Sequence, residues 1–139
     1  MEVLVVAVVV AVLATVALPN LQKAIYRADA AHVMADMHNV RLAVMQYRED
    51  TGQLPRSRPW GTTPPELAPY LGGKAFTYKD LDYRLVVNAG RGRVEFRARY
   101  PRNHPIGEAL KQYRTPGTES GSVNWTARQT QWRLLEDNK

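Results

Sequence analysis

The chain has 139 residues and a net charge of +6, with 19 Lys and Arg against 13 Asp and Glu, which leaves room for one folded domain beyond an N-terminal helix. It holds no cysteine, which excludes disulfides, thiolate metal centres and thiol nucleophiles. Mean hydropathy is negative although 45% of the residues are apolar, so the apolar residues are concentrated at one end rather than spread through a large core.

That end is the N-terminus. Met1 to Leu18 carry a single charge, Glu2, then an apolar run from Val3 broken only by Thr15, and Pro19-Asn20 closes the run. As a helix, Val3 to Leu18 would span roughly 24 Å, somewhat short of the ~30 Å hydrocarbon core of a bilayer. A carboxylate at the head of such a helix is costly in lipid unless it has a partner, which makes Glu2 a functional-site candidate. A secretory signal would place Lys or Arg ahead of the apolar core, whereas the first basic residue here is Lys23. For a plain single-pass anchor, the Lys- and Arg-rich part lies entirely after the helix, and that bias favours keeping the domain inside.

Met1-Glu2-Val3-Leu4-Val5-Val6, the Val/Ala/Leu run and Ala17-Leu18-Pro19-Asn20-Leu21 resemble the N-terminal signature of type IV pilins and pseudopilins. On this likeness Met1 stands just before the family's glutamate, Glu2 takes the glutamate and Pro19 takes the helix-interrupting proline. The family's Gly cleavage site, its leader and Phe-Thr-Leu are not in this sequence, and the likeness places them ahead of Met1. The resemblance implies a structural subunit of a homo-oligomeric helical filament. It also implies processing by prepilin peptidase, methylation of the new N-terminal amine and handling by a pilus assembly machinery. The subunit would sit in the inner membrane before assembly and in an extracellular filament on the cell surface afterwards. Glu2, Val3, Leu4, Val5, Val9, Leu13 and Pro19 are the assembly residues on this reading, Glu2 pairing with an N-terminal amine. Pro19 deprives the Thr15 carbonyl of its helical partner. The resemblance adds that the backbone there can melt into an extended segment on assembly; sequence alone leaves kink and melt open.

The segment from residue 21 to 51 continues the spine. Tyr26, Ala30, Val33, Met37, Val40, Val44 and Tyr47 recur at helical spacing and predict a stripe packed on the domain's own sheet. Leu21, Ile25, Ala28, Ala31, Ala35, Leu42 and Met45 form a second face, read as a contact for neighbouring subunits. Gly52 suits a C-terminal cap. Residues 52–80 read as a Pro- and Gly-rich connecting loop, with one helical turn at Pro65 to Ala68. Residues 81–139 read as an antiparallel sheet domain. In it, Leu81, Tyr83, Leu85 and Val87 alternate inward, as do Val94, Phe96, Ala98 and Tyr100, around a turn at Asn88 to Gly92. A helical turn is expected near Ile106 to Tyr113, and strand structure between Val123 and Leu135 carrying Trp125 and Trp132. With residues 1–20 as the apolar segment, the fold class is α+β: a long N-terminal helix packed on a C-terminal antiparallel sheet.

No catalytic constellation emerges, so the chain reads as a non-enzyme without a cofactor. His32 and His38 are six apart, on nearly opposite sides of a helix. Asp80 and Asp82 are too few for a calcium site that needs six or more oxygens, and residues 116–123 hold one acid only, Glu119. The remaining signal is basic. Arg93, Arg97 and Arg99 share one strand face, with Arg84 as a candidate neighbour, and Arg56, Arg58, Arg91 and Arg102 nearby. Such a patch suits DNA phosphates. Subunit contact or plain surface is preferred over DNA because Phe96 and Tyr100 point to the opposite side. A minor or DNA-binding subunit and a non-polymerising membrane-anchored periplasmic domain are the alternatives.

Overall fold

The computed structural model describes residues 2–101, 104–113 and 129–135. A single helix, α1, runs from Glu2 to Thr51 without a break at Pro19. Thr15 donates its hydroxyl to the Val12 carbonyl at 2.7 Å, one turn before the carbonyl that Pro19 orphans. Fifty residues at the helical rise give α1 a length of about 75 Å, so about half of it projects past the domain, which packs on the helix from Tyr26 onward. Gly52, at φ +69°, ends the helix by donating its N–H to the Arg48 carbonyl.

The chain then forms α2 (Ala68–Leu71), β1 (Thr77–Tyr78), β2 (Leu81–Asn88), β3 (Arg93–Arg99), α3 (Ile106–Lys111) and β4 (Gln129–Leu135). The strands make one antiparallel sheet in the order β1-β2-β3-β4. This is the α+β architecture expected, a long N-terminal helix with an antiparallel sheet behind it. The β2–β3 hairpin turns through a 3₁₀ turn at Ala89–Arg91, with Gly92 left-handed. The expected connecting loop proves more structured than its composition implied. The turn at Pro65 to Leu67 leads on into α2, and Thr77–Tyr78 pair with Leu81 and Asp82. Two residues are too short a run for a period-two pattern to register.

Alternation decides the core. Leu81, Tyr83 and Leu85 from β2, Val94, Phe96 and Ala98 from β3, and Trp132 and Leu134 from β4 are buried. They meet Ala30, Val33, Val40, Ala43 and Val44 of α1, with Ile106 and Leu110 of α3 closing one end. Phe76, Tyr83, Phe96 and Trp132 form a row of rings with successive centroids 4.9 to 6.0 Å apart, each edge or tilted pair adding about 0.5–1.5 kcal/mol beyond area burial. The expected inner stripe of α1 is the one that packs, with Tyr26, Met37 and Tyr47 half-buried at its margins. Trp125, Arg102 and Glu119 lie outside the described residues.

The Pro-rich segment runs along the edge of β2 that the short β1 leaves open. Ser57 Oγ accepts the Val87 N–H at 2.7 Å, the Gly61 N–H reaches the Tyr83 carbonyl at 2.8 Å, and Arg84 Nε donates to the Arg58 carbonyl at 3.1 Å. The first two contacts occupy β2 ladder groups that would otherwise template pairing with another chain.

Candidate interaction surfaces

The first surface is the uncovered side of α1. Val3, Leu4, Val5, Val6, Val8, Val9, Val10, Val12, Leu13 and Leu18 are all between 51% and 82% exposed. Of the residues assigned to assembly, Val3, Leu4, Val5, Val9 and Leu13 therefore face outward, and Pro19 is exposed too. Glu2 opens the helix, but its side chain lies outside the described residues. The second apolar face continues this surface past Pro19: Leu21, Ile25, Ala28, Ala31, Ala35, Leu42 and Met45 are all exposed. By length and composition this helix holds a stretch able to cross a membrane.

A second feature lies on the covered side and was not anticipated. Asp29 and Asp36 sit two turns apart on the inner stripe, 8% and 6% exposed, and each is held by one lysine and one tyrosine. Asp29 accepts from Lys79 Nζ at 2.7 Å and from the Tyr78 hydroxyl at 2.9 Å. Asp36 accepts from Lys74 Nζ at 2.7 Å and from the buried Tyr83 hydroxyl at 2.9 Å. His32 joins the two groups, its ring stacked 3.9 Å from that of Tyr78 and its Nε2 3.3 Å from Asp36. Burial alone would push the Asp29 carboxyl up, but the bonds from Lys79 and Tyr78 outweigh it and hold the group below its ordinary 3.8. The same bond raises Lys79, and burial with the Asp36 charge pushes the Tyr83 phenol far up.

Lys79 reaches Asp29 from an unusual backbone. It is the one described non-glycine residue with positive φ, at +50°, in the two-residue turn between β1 and β2. A lysine there carries left-handed strain that the tertiary contact must offset. These acids were hidden in sequence because their spacing is that of the apolar stripe itself. A signal was present: two carboxylates seven apart among inward positions need buried partners.

The third surface is the outer face of the sheet. The register places Arg84 directly opposite Arg97, Asp82 opposite Arg99, and Glu95 opposite Arg133. Arg84, Arg93, Arg97 and Arg99 thus lie on one face, as the alternation required, and Arg133 of β4 joins them. Arg99 bonds Asp82 at 2.8 Å, while Arg97 and Arg93 flank Glu95 at 3.0 and 4.0 Å. The expectation that this face has no aromatic is corrected by Trp60. The Pro-rich loop carries its ring to 4.9 Å from the Arg99 guanidinium carbon and 6.0 Å from that of Arg84. Strand alternation could not reveal a ring delivered by a loop. Gly61 makes the delivery possible: at φ +73° it turns the chain directly after Trp60 and bonds Tyr83.

Among the described residues no group of three or more His, Asp or Glu gathers in a way that would hold a metal ion. His104 is used locally instead, its Nδ1 accepting the Ile106 N–H at the start of α3. No protein-family description, curated protein or solved structure matches this chain.

Proposed function

We propose that the chain is a non-enzymatic, type IV pilin-like subunit that assembles into a helical filament through α1. One observation carries the reading: α1 has two apolar faces and its own domain covers only one. The uncovered face runs from Val3 to Met45, well beyond what a bilayer accommodates. A plain membrane anchor needs apolar residues only as far as Leu18. The exposed Ile25, Leu42 and Met45 lie alongside the folded domain, where a neighbouring helix fits and lipid tails do not.

Covering the ten large apolar side chains between Val3 and Leu18 would contribute on the order of 10 kcal/mol per subunit, ample to hold helices together outside lipid. In such a bundle Glu2 would lose its hydration and require a cation. The first Lys or Arg in the chain is Lys23, so the partner is an N-terminal amine of its own or a neighbouring chain. Before assembly the same apolar stretch holds the subunit in the inner membrane, from which it passes to a filament on the cell surface.

The test is Glu2→Gln in the native cell. The variant should remain in the membrane fraction while surface filaments fall to a small fraction of the parent level. Filament yield equal to the parent's would refute the pairing role. Recovery of the unaltered protein as a monomer in every detergent-free condition would refute assembly itself.

A further inference from the structure

Towards its C-terminal end the uncovered face of α1 borders a groove. Beside Leu42 and Met45, 48% and 40% exposed, α2 raises Tyr70 and Leu71, and Glu49 joins them in lining an open hollow of about 460 Å³. Lys74, also on its wall, is committed to Asp36. Glu49 is exposed, and among the described side chains it is the one Asp or Glu with no hydrogen bond or ion pair inside its own chain. Lys23 and Arg27 on the same helix are likewise exposed and uncommitted, as are Arg56 and Arg91, which lie off the helix.

Length and charge point to a second copy of this chain, parallel but displaced. The bare half of α1, Val3 to Ile25, is nearly as long as the half beside the domain, Tyr26 to Glu49, whose outer side is uncovered. A displacement of about 21 residues, roughly 32 Å, lays the bare half of one helix along the uncovered side of the next, and a whole number of heptads keeps the same side facing inward. Leu21 then lies level with Leu42 and Ala24 with Met45. Arg27 arrives one helical rise from Glu49, within reach of its long side chain. Without displacement, Glu49 would stand beside Glu49, a like-charge contact that opposes association. Such an undisplaced pair is also self-complementary and closes at two copies, whereas the displaced contact leaves a groove open at one end and a bare helix at the other, so copies keep adding. An antiparallel pair would send the two Glu2 ends in opposite directions, which a single membrane does not allow.

We propose that the groove formed by Leu42, Met45, Glu49, Tyr70 and Leu71 receives the Leu21–Arg27 stretch of a second copy, parallel and displaced by about 21 residues. This register rests on the filament reading and adds a second acid to it. Glu2 answers an N-terminal amine at one end of the helix, and Glu49 answers Arg27 of the next copy at the other.

The chain has no cysteine, so introduced cysteines report contacts against no background. Filaments from the native cell carrying Leu21→Cys with Leu42→Cys, or Ala24→Cys with Met45→Cys, should on oxidation give a ladder of dimers, trimers and longer chains on denaturing gels. Facing positions on packed helices come within the ~7 Å between Cα atoms that a disulfide spans. Each single-cysteine variant should stay monomeric. Glu49→Lys removes no contact within its own chain, so the urea midpoint of the detergent-solubilised protein should not move while filament yield falls severalfold. Adding Lys23→Glu and Arg27→Glu to that variant should restore the yield. Dimers from Leu42→Cys alone would show undisplaced packing, and filaments whose paired cysteines give no ladder would show another register. Full filament yield from Glu49→Lys would show that its charge is idle. Each of these would overturn the proposal with assembly intact, whereas an unaltered chain that forms no filament would overturn both.

Discussion

Asp36 and Tyr83 form the most deeply buried polar contact between helix and sheet, and their coupling is open to direct measurement. In Asp36→Ala the Tyr83 hydroxyl, on a residue 2% exposed, loses its acceptor inside the core, at about 1–3 kcal/mol. The lost Lys74 pair adds only roughly 0.2–1 kcal/mol, because the lysine side chain is 55% exposed and water replaces the carboxylate. Asp36→Ala should therefore destabilise by about 1–4 kcal/mol. Tyr83→Phe keeps the ring among Phe76 and Phe96 but removes one charge-assisted bond, at about 1.5–3 kcal/mol. In the double variant neither partner is left orphaned, so its cost should fall short of the sum of the singles by about 1–2 kcal/mol. Urea unfolding of the detergent-solubilised chain, followed by tryptophan fluorescence, measures all four corners of the cycle. Additivity to within about 0.5 kcal/mol would show that the contact carries no coupling and that the reasoning is wrong.

Other outcomes follow from neighbouring residues. Asp29 has its pKa lowered in the folded chain, so its contribution is present above 3.8 and drains away as pH falls through the lowered folded value; Asp29→Asn should flatten the acid limb of a stability–pH curve measured by urea midpoints. Lys79→Met removes the charge and keeps the left-handed strain, whereas Lys79→Gly removes both, so thermal unfolding should rank the glycine variant above the methionine one. Phe96→Ala, at the centre of the aromatic row, should cost about 3–5 kcal/mol in urea unfolding. Gly61→Ala strains a positive φ, and the misplaced Trp60 should show in the near-ultraviolet circular dichroism.

Where one physical rule governs a segment, the sequence was enough. Helical spacing found which side of α1 would be buried, and strand alternation placed both the β2–β3 core and the four arginines, since each rests on a single periodicity. Contacts that join distant segments obey no such rule. The lysines holding Asp29 and Asp36 lie 50 and 38 residues further along, in a stretch that reads as loop. Trp60 reaches the arginines only because Gly61 turns the chain and Ser57 anchors it to β2. The Pro-rich composition announced irregular backbone correctly but said nothing of where that backbone would lie.

The two carboxylate latches also bear on how the fold responds to force. Both join α1 to the first hairpin from the same side of the helix, and the chain has no cysteine to back them up. Tension applied along the helix axis shears both latches and the apolar stripe at once, so they share the force. Tension that lifts the helix off the sheet peels them one after another, each bearing the whole force in turn. The chain pulled lengthwise by α1 should therefore withstand far more than the chain pried sideways, which makes the direction of force as decisive as the strength of any single contact.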